Sequence, residues 1–162
     1  MIRPARPEDA TQILTFWNPL IRDTLVTFNP VEKTEAELRE MIVAKPLAGH
    51  AFLVAEEDGQ ILGFASYGQF RAGPGYARAM EHTIILAPAA HGLGIGRALM
   101  TAIEDDARAK GYHTMVAGVS GGNPQGRAFH AAIGYAEVGV IPESGWKFGR
   151  YWDLVLMQKV LA

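Results

Sequence analysis

Two spacings of apolar residues divide the chain into predicted helices and strands. Helical spacing occurs in four segments, which begin near residues 7, 34, 94 and 125. Short runs of apolar and β-branched residues predict seven strands: Ile2–Pro4, Ala51–Glu56, Ile61–Gln69, Thr83–Leu86, Thr114–Val119, Tyr135–Val140 and Arg150–Val160. The predicted order of elements is therefore β-α-α-β-β-β-α-β-α-β-β.

Local signals set several boundaries. We expect the first helix to kink or end at Pro19. Thr34 and Glu37 have the spacing of a capping box at the start of the second helix. Asp58-Gly59 predicts a type I′ turn between two strands that are apolar on both faces, as in a sheet covered on both sides. The segment with Trp146 and Lys147, before the last strand, is expected to be a loop.

A glycine-rich turn joins the strand Thr83–Leu86 to an amphipathic helix. Gly92, Gly94 and Gly96 lie between the strand and the first helical turn. The amides of a first helical turn lack intrahelical partners and carry partial positive charge, and glycines let a bulky anion approach them. The turn therefore predicts a pyrophosphate site, and a tight turn that binds nothing is the alternative.

Two other phosphate motifs do not fit this turn. No Gly-Lys-Ser/Thr run exists, which excludes a P-loop. A dinucleotide fingerprint usually has an acidic residue about 20 positions later, where this chain has Met115–Gly118.

Composition limits the class of protein. The 162 residues, 49% of them hydrophobic, suit one domain that spans residues 1–162. The net charge of −2, with both signs mixed along the chain, gives no sign of a nucleic-acid or membrane partner. No apolar run is long enough to span a bilayer and no signal peptide is visible, so we expect a soluble cytoplasmic protein.

The chain has no cysteine, which excludes disulfides and a thiol nucleophile. If the protein is an acyltransferase, a cysteinyl acyl-enzyme is therefore impossible, and direct attack on a bound thioester is the favoured route. His, Asp and Glu show no metal-ligand spacing, so we predict no metal.

The glycine turn resembles the acetyl-CoA-binding segment of the GNAT superfamily of N-acetyltransferases, Gln/Arg-x-x-Gly-x-Gly/Ala. Here the segment reads His91-Gly92-Leu93-Gly94-Ile95-Gly96-Arg97, with His91 in place of Gln or Arg. Asn123, His130 and Gly134-Tyr135 correspond to the second signature of the family. The resemblance implies the α/β (α+β) acyl-CoA N-acyltransferase fold, with a mixed, largely antiparallel sheet of about seven strands and helices on both faces.

The resemblance also implies acetyl-CoA as cosubstrate, wedged between the strands Thr83–Leu86 and Thr114–Val119. The residues that it assigns to cofactor binding are Ile84, Ile85, Leu86, His91, Gly92, Leu93, Gly94, Ile95, Gly96, Arg97 and Asn123.

Within the superfamily, the chain resembles the phosphinothricin and methionine sulfone or sulfoximine acetyltransferase branch. The likeness rests on Thr27-Phe28 in the loop after the first helix, on the segments around residues 67–83 and on Lys147–Asp153. It implies transfer of an acetyl group to the α-amine of a small amino-acid-like acceptor, and a homodimer. The substrate-binding residues that follow from it are Thr27, Phe28, Arg71, Tyr76, His82 and Thr83.

Two residues are predicted to be catalytic. Glu81 is expected to reach the strand from a loop and to accept the proton of the incoming amine, or alternatively to pair with Arg78. His130 stands where many relatives carry a tyrosine that protonates the CoA thiolate, and the resemblance assigns it to catalysis as acid or base; a structural histidine is the alternative.

Arg71 is the candidate for binding an acceptor carboxylate, because a guanidinium matches a carboxylate in a bidentate fork; an exposed loop arginine is the alternative. Three rival functions stay open: acetylation of a protein N-terminus, acetylation of a polyamine, and an acyl-CoA-binding sensor without chemistry.

Overall fold

The computed structural model describes residues 1–162. Its strands are β1 (Ile2–Pro4), β2 (Phe52–Glu57), β3 (Gln60–Gln69), β4 (Ala79–Leu86), β5 (Thr114–Ser120), β6 (Ala136–Lys147) and β7 (Arg150–Val160). Its α-helices are α1 (Ala10–Asp23), α2 (Glu35–Leu47), α3 (Ile95–Ala109) and α4 (Pro124–Ala132). This is the predicted order of elements.

One seven-stranded sheet has the order β1-β2-β3-β4-β5-β7-β6. Only β4 and β5 are parallel neighbours, and the other pairs are antiparallel. The predicted mixed, largely antiparallel sheet is thereby confirmed. No helix combines the length and the apolar character that crossing a bilayer requires.

Helices cover both faces of the sheet, as predicted. On one face, Ile13 of α1 and Leu38 of α2 belong to a buried cluster with Phe64 of β3. On the other face, Leu99 of α3 packs in a second cluster with Met115 of β5, and α4 adds partly buried side chains. β3 is buried along almost its whole length because it faces both clusters.

Local sequence signals appear in the structure. Asp58 and Gly59 both have positive φ angles, 50° and 78°, as a type I′ turn requires. The Thr34 hydroxyl accepts a hydrogen bond from the Glu37 amide at 3.1 Å and so caps α2.

The expectation that α1 would end at Pro19 is wrong, because the helix runs on to Asp23, and the alternative of a kink at Pro19 stays a prediction. Ile13, Trp17 and Ile21 form one buried stripe across the proline, and this packing outweighs the single backbone hydrogen bond that Pro19 lacks. The helix ends where the amide and the hydroxyl of Thr24 both donate to the Leu20 carbonyl.

The predicted loop before the last strand is also wrong. β6 and β7 form one long hairpin whose turn is Phe148-Gly149, and Trp146 lies in β6 opposite Tyr151. Bulges interrupt the pairing between Glu137 and Gly139 and again between Ile141 and Gly145. These bulges break the alternation from which a strand is recognised in a sequence.

β4 begins at Ala79, earlier than predicted, so Glu81 lies inside the strand and not in a loop. Only Ala79–Glu81 pair with β5, opposite Thr114–Val116. Beyond that point β4 stays paired with β3, and β5 stays paired with β7. The two parallel strands therefore separate after Glu81 and leave a gap in the middle of the sheet.

Candidate active site

The gap between β4 and β5 opens into a cavity of about 610 Å³. Its walls come from residues 81–86 of β4, from 117–120 at the end of β5 and from the loop 26–29 after α1. Both predicted catalytic residues line it, and so do these predicted cofactor or substrate residues: Thr27, Phe28, His82, Thr83, Ile84, Ile85, Leu86, His91 and Asn123.

The glycine turn lies at the end of this gap. Gly92 and Gly94 have φ angles of 80° and 76°, and a Cβ on either would meet no atom within 4 Å. The amides of Ile95, Gly96 and Arg97 make no backbone hydrogen bond, and the ladder of α3 starts with Ala98 donating to Gly94. The turn therefore presents three free amides beside open space, which is the geometry of an anion site.

Close packing fixes the start of α3 against its neighbours. A Cβ at Gly96 would lie 3.1 Å from the Phe129 ring of α4 and 3.3 Å from Leu86 of β4. The Arg97 guanidinium extends toward the Ala132 carbonyl at the end of α4, at 3.5 Å. These contacts hold the free amides in a fixed position relative to β4.

Asn123 lines the cavity and is the N-cap residue of α4. Its side-chain oxygen accepts a hydrogen bond from the Gly126 amide at 3.1 Å. The predicted cofactor contact of Asn123 thus has to come from the rest of its side chain or from its backbone.

Glu81 lies near the point where the strands separate, and its carboxylate has no hydrogen-bond or ion-pair partner in the protein. One carboxylate oxygen lies 3.0 Å from where a Cβ at Gly118 would be. Burial raises the pKa of Glu81, and the nearby Lys45 ammonium partly opposes this increase. The predicted alternative, a pair with Arg78, is not formed.

The charge of Lys45, on α2, acts on Glu81 without forming an ion pair with it. Its Nζ lies 2.8 Å from where a Cβ at Gly68 would be, and Gly68 is the β3 residue directly opposite Glu81. Burial lowers the pKa of Lys45, and the Glu81 charge opposes this decrease. Two glycines thus flank Glu81 and leave room for its carboxylate and for the ammonium.

His130 is buried on α4 and contacts a second histidine. Its Nδ1 lies 2.7 Å from the Gly126 carbonyl oxygen and its Nε2 lies 3.0 Å from Nε2 of His82. Burial lowers the pKa of His130 and lowers the pKa of His82 to about 3, with His130 adding to the shift at His82. His82, predicted as a substrate residue, therefore also belongs to a histidine pair.

The loop 26–29 after α1 forms one side of the cavity. The Phe28 ring packs against Gly145 of β6, where a Cβ would lie 2.6 Å from it. The buried Lys147 ammonium donates to the carbonyls of Thr24 and Thr27, at 2.5 and 2.7 Å. The β6–β7 hairpin thereby holds the loop in place.

Arg71 and Tyr76 lie on the exposed loop between β3 and β4, outside the cavity wall. The Arg71 guanidinium lies 5.2 Å from the centre of the Tyr76 ring. The structure thus brings these two predicted substrate residues together but does not place them beside Glu81, and their roles stay predictions. No group of three His, Cys, Asp or Glu side chains has the geometry of a metal site.

Sequence reasoning missed several parts of this site. Lys45 gave no signal, because nothing local connects α2 with β4. The cavity residues Trp17, Leu20, Lys33 and Phe129 look like ordinary helix or loop residues in the sequence. The Asn123 to His130 spacing could have indicated that the start of α4 faces the cavity.

Residues 17–135 match the model of the Acetyltransferase (GNAT) family. The chain is 35% identical over 158 residues to the L-amino acid N-acyltransferase MnaT of Escherichia coli K12, covering 97% of this chain and 91% of that protein. It is 34% identical to the phosphinothricin N-acetyltransferase of Streptomyces coelicolor, covering 99% and 95%. It is also 34% identical to the L-methionine sulfoximine/L-methionine sulfone acetyltransferase of Salmonella typhimurium, covering 97% and 92%.

Solved structures of similar fold match this protein over its whole length. The ribosomal-protein-alanine N-acetyltransferase of Brucella melitensis superposes with a TM-score of 0.94 at 34% identity, covering 99% of each chain. The structure of yncA from Salmonella typhimurium with its cofactor acetyl-CoA also gives a TM-score of 0.94, at 33% identity, covering 100% of this chain and 94% of that one. The chain belongs to the GNAT acetyltransferase family.

Proposed function

We propose that the protein transfers the acetyl group of acetyl-CoA to the α-amine of a small amino-acid-like acceptor. The observation that carries this proposal is the gap between β4 and β5, which joins the free amides of α3 to the unpaired Glu81 carboxylate. Relatives that act on L-amino acids, phosphinothricin and methionine sulfoximine or sulfone support the acceptor class.

The cofactor would occupy the gap in an extended form. Its pyrophosphate would accept hydrogen bonds from the amides of Ile95, Gly96 and Arg97, and its pantetheine arm would pair with the backbone of Ile84–Leu86, which β5 leaves free. His91, Gly92, Leu93 and Gly94 would form the loop around the pyrophosphate. The similar structure of yncA, which contains its cofactor acetyl-CoA, supports acetyl-CoA as the cosubstrate.

Glu81 would act as the base. An amino acid's amine is protonated at neutral pH, and only its free base attacks the thioester carbonyl. The carboxylate has no protein partner to compete for the proton, and burial makes it more basic than an exposed one. The acceptor would enter past Thr27, Phe28 and Thr83.

The test is release of free CoA from acetyl-CoA with a panel of phosphinothricin, methionine sulfone, methionine sulfoximine and ordinary L-amino acids. Turnover of at least one of these acceptors is expected, with mass spectrometry showing an N-acetyl product. Binding of acetyl-CoA with no turnover on the whole panel would contradict the proposed acceptor class.

Arg71→Ala is expected to raise KM for the acceptor by about 10-fold or more with little change in kcat, because a lost charged hydrogen bond weakens binding by roughly 1.5–3 kcal/mol. Arg39→Ala, an exposed arginine on α2, is the matched control. Equal KM values in the two variants would remove Arg71 from the acceptor site.

Lys45→Met is expected to move the acid limb of the kcat/KM pH profile to higher pH. The Lys45 ammonium lowers the pKa of Glu81, so its removal leaves Glu81 protonated, and inactive as a base, up to a higher pH. Lys110→Met serves as control, because Lys110 is paired with Asp106 on the opposite side of the sheet. An unshifted acid limb in Lys45→Met would mean that Lys45 does not act on the base.

A protein N-terminus is the second candidate acceptor, because the similar Brucella melitensis structure is that of a ribosomal-protein-alanine N-acetyltransferase. A peptide with an N-terminal alanine separates the two candidates. Turnover of the peptide in preference to every free amino acid would favour a protein acceptor.

A homodimer is part of the proposal. Trp146, Phe148 and Tyr151 are each more than half exposed at the end of the β6–β7 hairpin, an unusual number of bare aromatic side chains for one turn. Light scattering after gel filtration measures the mass directly, and a monomer at assay concentration would contradict the dimer.

A further inference from the structure

Two buried histidines from different elements meet beside the gap. His82 of β4 and His130 of α4 are 8% and 6% exposed, and their stacked rings have centroids 5.0 Å apart. Their Nε2 atoms are 3.0 Å apart, which is hydrogen-bonding distance. Proton transfer by Glu81 does not need this pair.

The hydrogen bonds determine which nitrogen carries each proton. Nδ1 of His130 lies 2.7 Å from the Gly126 carbonyl oxygen, and a carbonyl only accepts, so this nitrogen carries hydrogen. The lone pair of neutral His130 is then on Nε2, and Nε2–H of His82 donates to it. Nδ1 of His82 is left as a bare lone pair, and this buried atom has no hydrogen-bond partner.

Burial disfavours a charge on either histidine. The Tyr135 ring lies edge-on to both histidines, and its hydroxyl donates to Glu104. Glu104 is itself paired with Lys159 and approaches Arg108. Neither nitrogen of His130 is free, so the only position at which the pair can gain a proton without losing a hydrogen bond is Nδ1 of His82.

We propose that His82 is a further catalytic residue: His82 and His130 act as one proton-exchanging unit, and Nδ1 of His82 is the atom that exchanges protons with the reacting groups. This inference rests on the acetyl transfer proposed above. His82 lines the cavity, and its buried Nδ1 finds no hydrogen-bond donor within the protein.

The unit takes up one proton and releases one proton in each reaction. Glu81 removes the first proton of the acceptor's ammonium group, and attack on the thioester leaves a second proton to be lost from the same nitrogen. When Nδ1 of His82 takes this second proton, the Nε2–H proton of His82 moves to Nε2 of His130. His82 is then neutral with hydrogen on Nδ1, and His130 is the cation, still bonded to the Gly126 carbonyl. The reverse transfer delivers one proton from Nδ1 of His82 to the CoA thiolate, so the unit returns to its first state.

The charge is better placed on His130 than on His82. The Gly126 hydrogen bond and the Glu104 carboxylate both favour a cation at His130, whereas no group around His82 does. In this unit, Nδ1 of His82 exchanges protons with the reacting groups, and His130 carries the positive charge.

Two variants of His82 each remove one of the two hydrogen-bonding positions that the proposal needs. His82→Gln keeps an amide that can reach His130 at the place of Nε2 but has no acceptor at the place of Nδ1. His82→Asn keeps polar atoms near Nδ1 but loses the donor to His130. We expect both to lower kcat by about 10²-fold, the lower end of the usual contribution of a positioned acid or base, with unchanged affinity for acetyl-CoA.

Because the two histidines act as a unit, combining His82→Gln with His130→Gln is expected to lower kcat no further than either change alone. Wild-type kcat in His82→Gln, or additive losses in the double variant, would overturn the proposal. Melting temperatures and acetyl-CoA affinity of each variant identify any loss that comes from misfolding.

Long-range ¹H–¹⁵N NMR of the wild-type protein tests the pair without any activity. The expected spectrum shows hydrogen on Nδ1 of His130 and on Nε2 of His82 at neutral pH. Hydrogen on Nδ1 of His82, or separate titrations of the two rings, would overturn the pairing. Absence of turnover on every acceptor would instead refute the proposed function while these spectra still decide the hydrogen-bond arrangement.

Discussion

Glu81→Gln is expected to lower kcat by about 10²- to 10⁴-fold, which is the usual contribution of a positioned base. Glutamine keeps the size and the hydrogen-bonding reach of the side chain but cannot accept the amine proton. Affinity for acetyl-CoA is expected to stay the same, because the proposed cofactor contacts are with the backbone of β4 and with the first turn of α3.

The pH profile gives an independent check of this variant. In the wild-type enzyme kcat/KM falls as the pH drops through the pKa of Glu81, which burial raises above that of an exposed carboxyl group. The variant should lose this limb and keep only the rise with pH that reflects deprotonation of the acceptor amine. Steady-state kinetics between pH 5 and 9, the range over which both groups would be followed, measures both limbs.

Stability separates the role of Glu81 as a base from a structural role. The Glu81 carboxylate has no protein partner, so its neutral analogue loses no contact, and the melting temperature should not fall. Glu57→Gln at the exposed end of β2 is the matched control and should leave kcat unchanged. If Glu81→Gln keeps more than about a tenth of the wild-type kcat, another group is the base.

Short-range chemistry explains which parts of the fold could be predicted. A type I′ turn needs two consecutive residues with positive φ, and Asp58-Gly59 supplies them regardless of what surrounds the turn. The turn before α3 depends in the same way on glycine at Gly92 and Gly94. The element order and the glycine turn with its free amides could accordingly be predicted from the sequence.

Long-range packing explains what the sequence could not show. The start of β4 at Ala79 depends on pairing with β3 and β5, and the residues involved are neither strongly apolar nor alternating. The passage of α1 through Pro19 depends on burial against the sheet. Contacts between distant elements decide where β4 begins and where α1 ends. Short stretches of sequence therefore predicted these two boundaries wrongly.

The same limit applies to the site. The carboxylate of Glu81 and the ring of His130 could be named from a resemblance, but their partners could not. Lys45 comes from α2, and the Nε2 contact between His82 and His130 joins residues that are far apart in the chain. Arg71 lies on the exposed loop between β3 and β4, outside the cavity wall, so its contact with an acceptor stays a prediction.

Gly94→Ala is expected to weaken acetyl-CoA binding by about 10- to 100-fold, which corresponds to one lost charge-assisted hydrogen bond of roughly 1.5–3 kcal/mol. Gly94 has a φ angle of 76° and caps α3, and the space that its Cβ would enter is open. The amides of Ile95, Gly96 and Arg97 follow directly, so the pyrophosphate would have to share this space with the new methyl group.

Gly59→Ala is the matched control for backbone strain. Gly59 has a φ angle of 78° and equally open surroundings, but it lies in the β2–β3 turn, away from the cavity. Both variants should lose about 1–2 kcal/mol of unfolding free energy, because alanine is disfavoured in the left-handed region. Only Gly94→Ala should raise the dissociation constant measured by titration calorimetry. An equal acetyl-CoA affinity in the two variants would mean that the pyrophosphate does not bind at the first turn of α3.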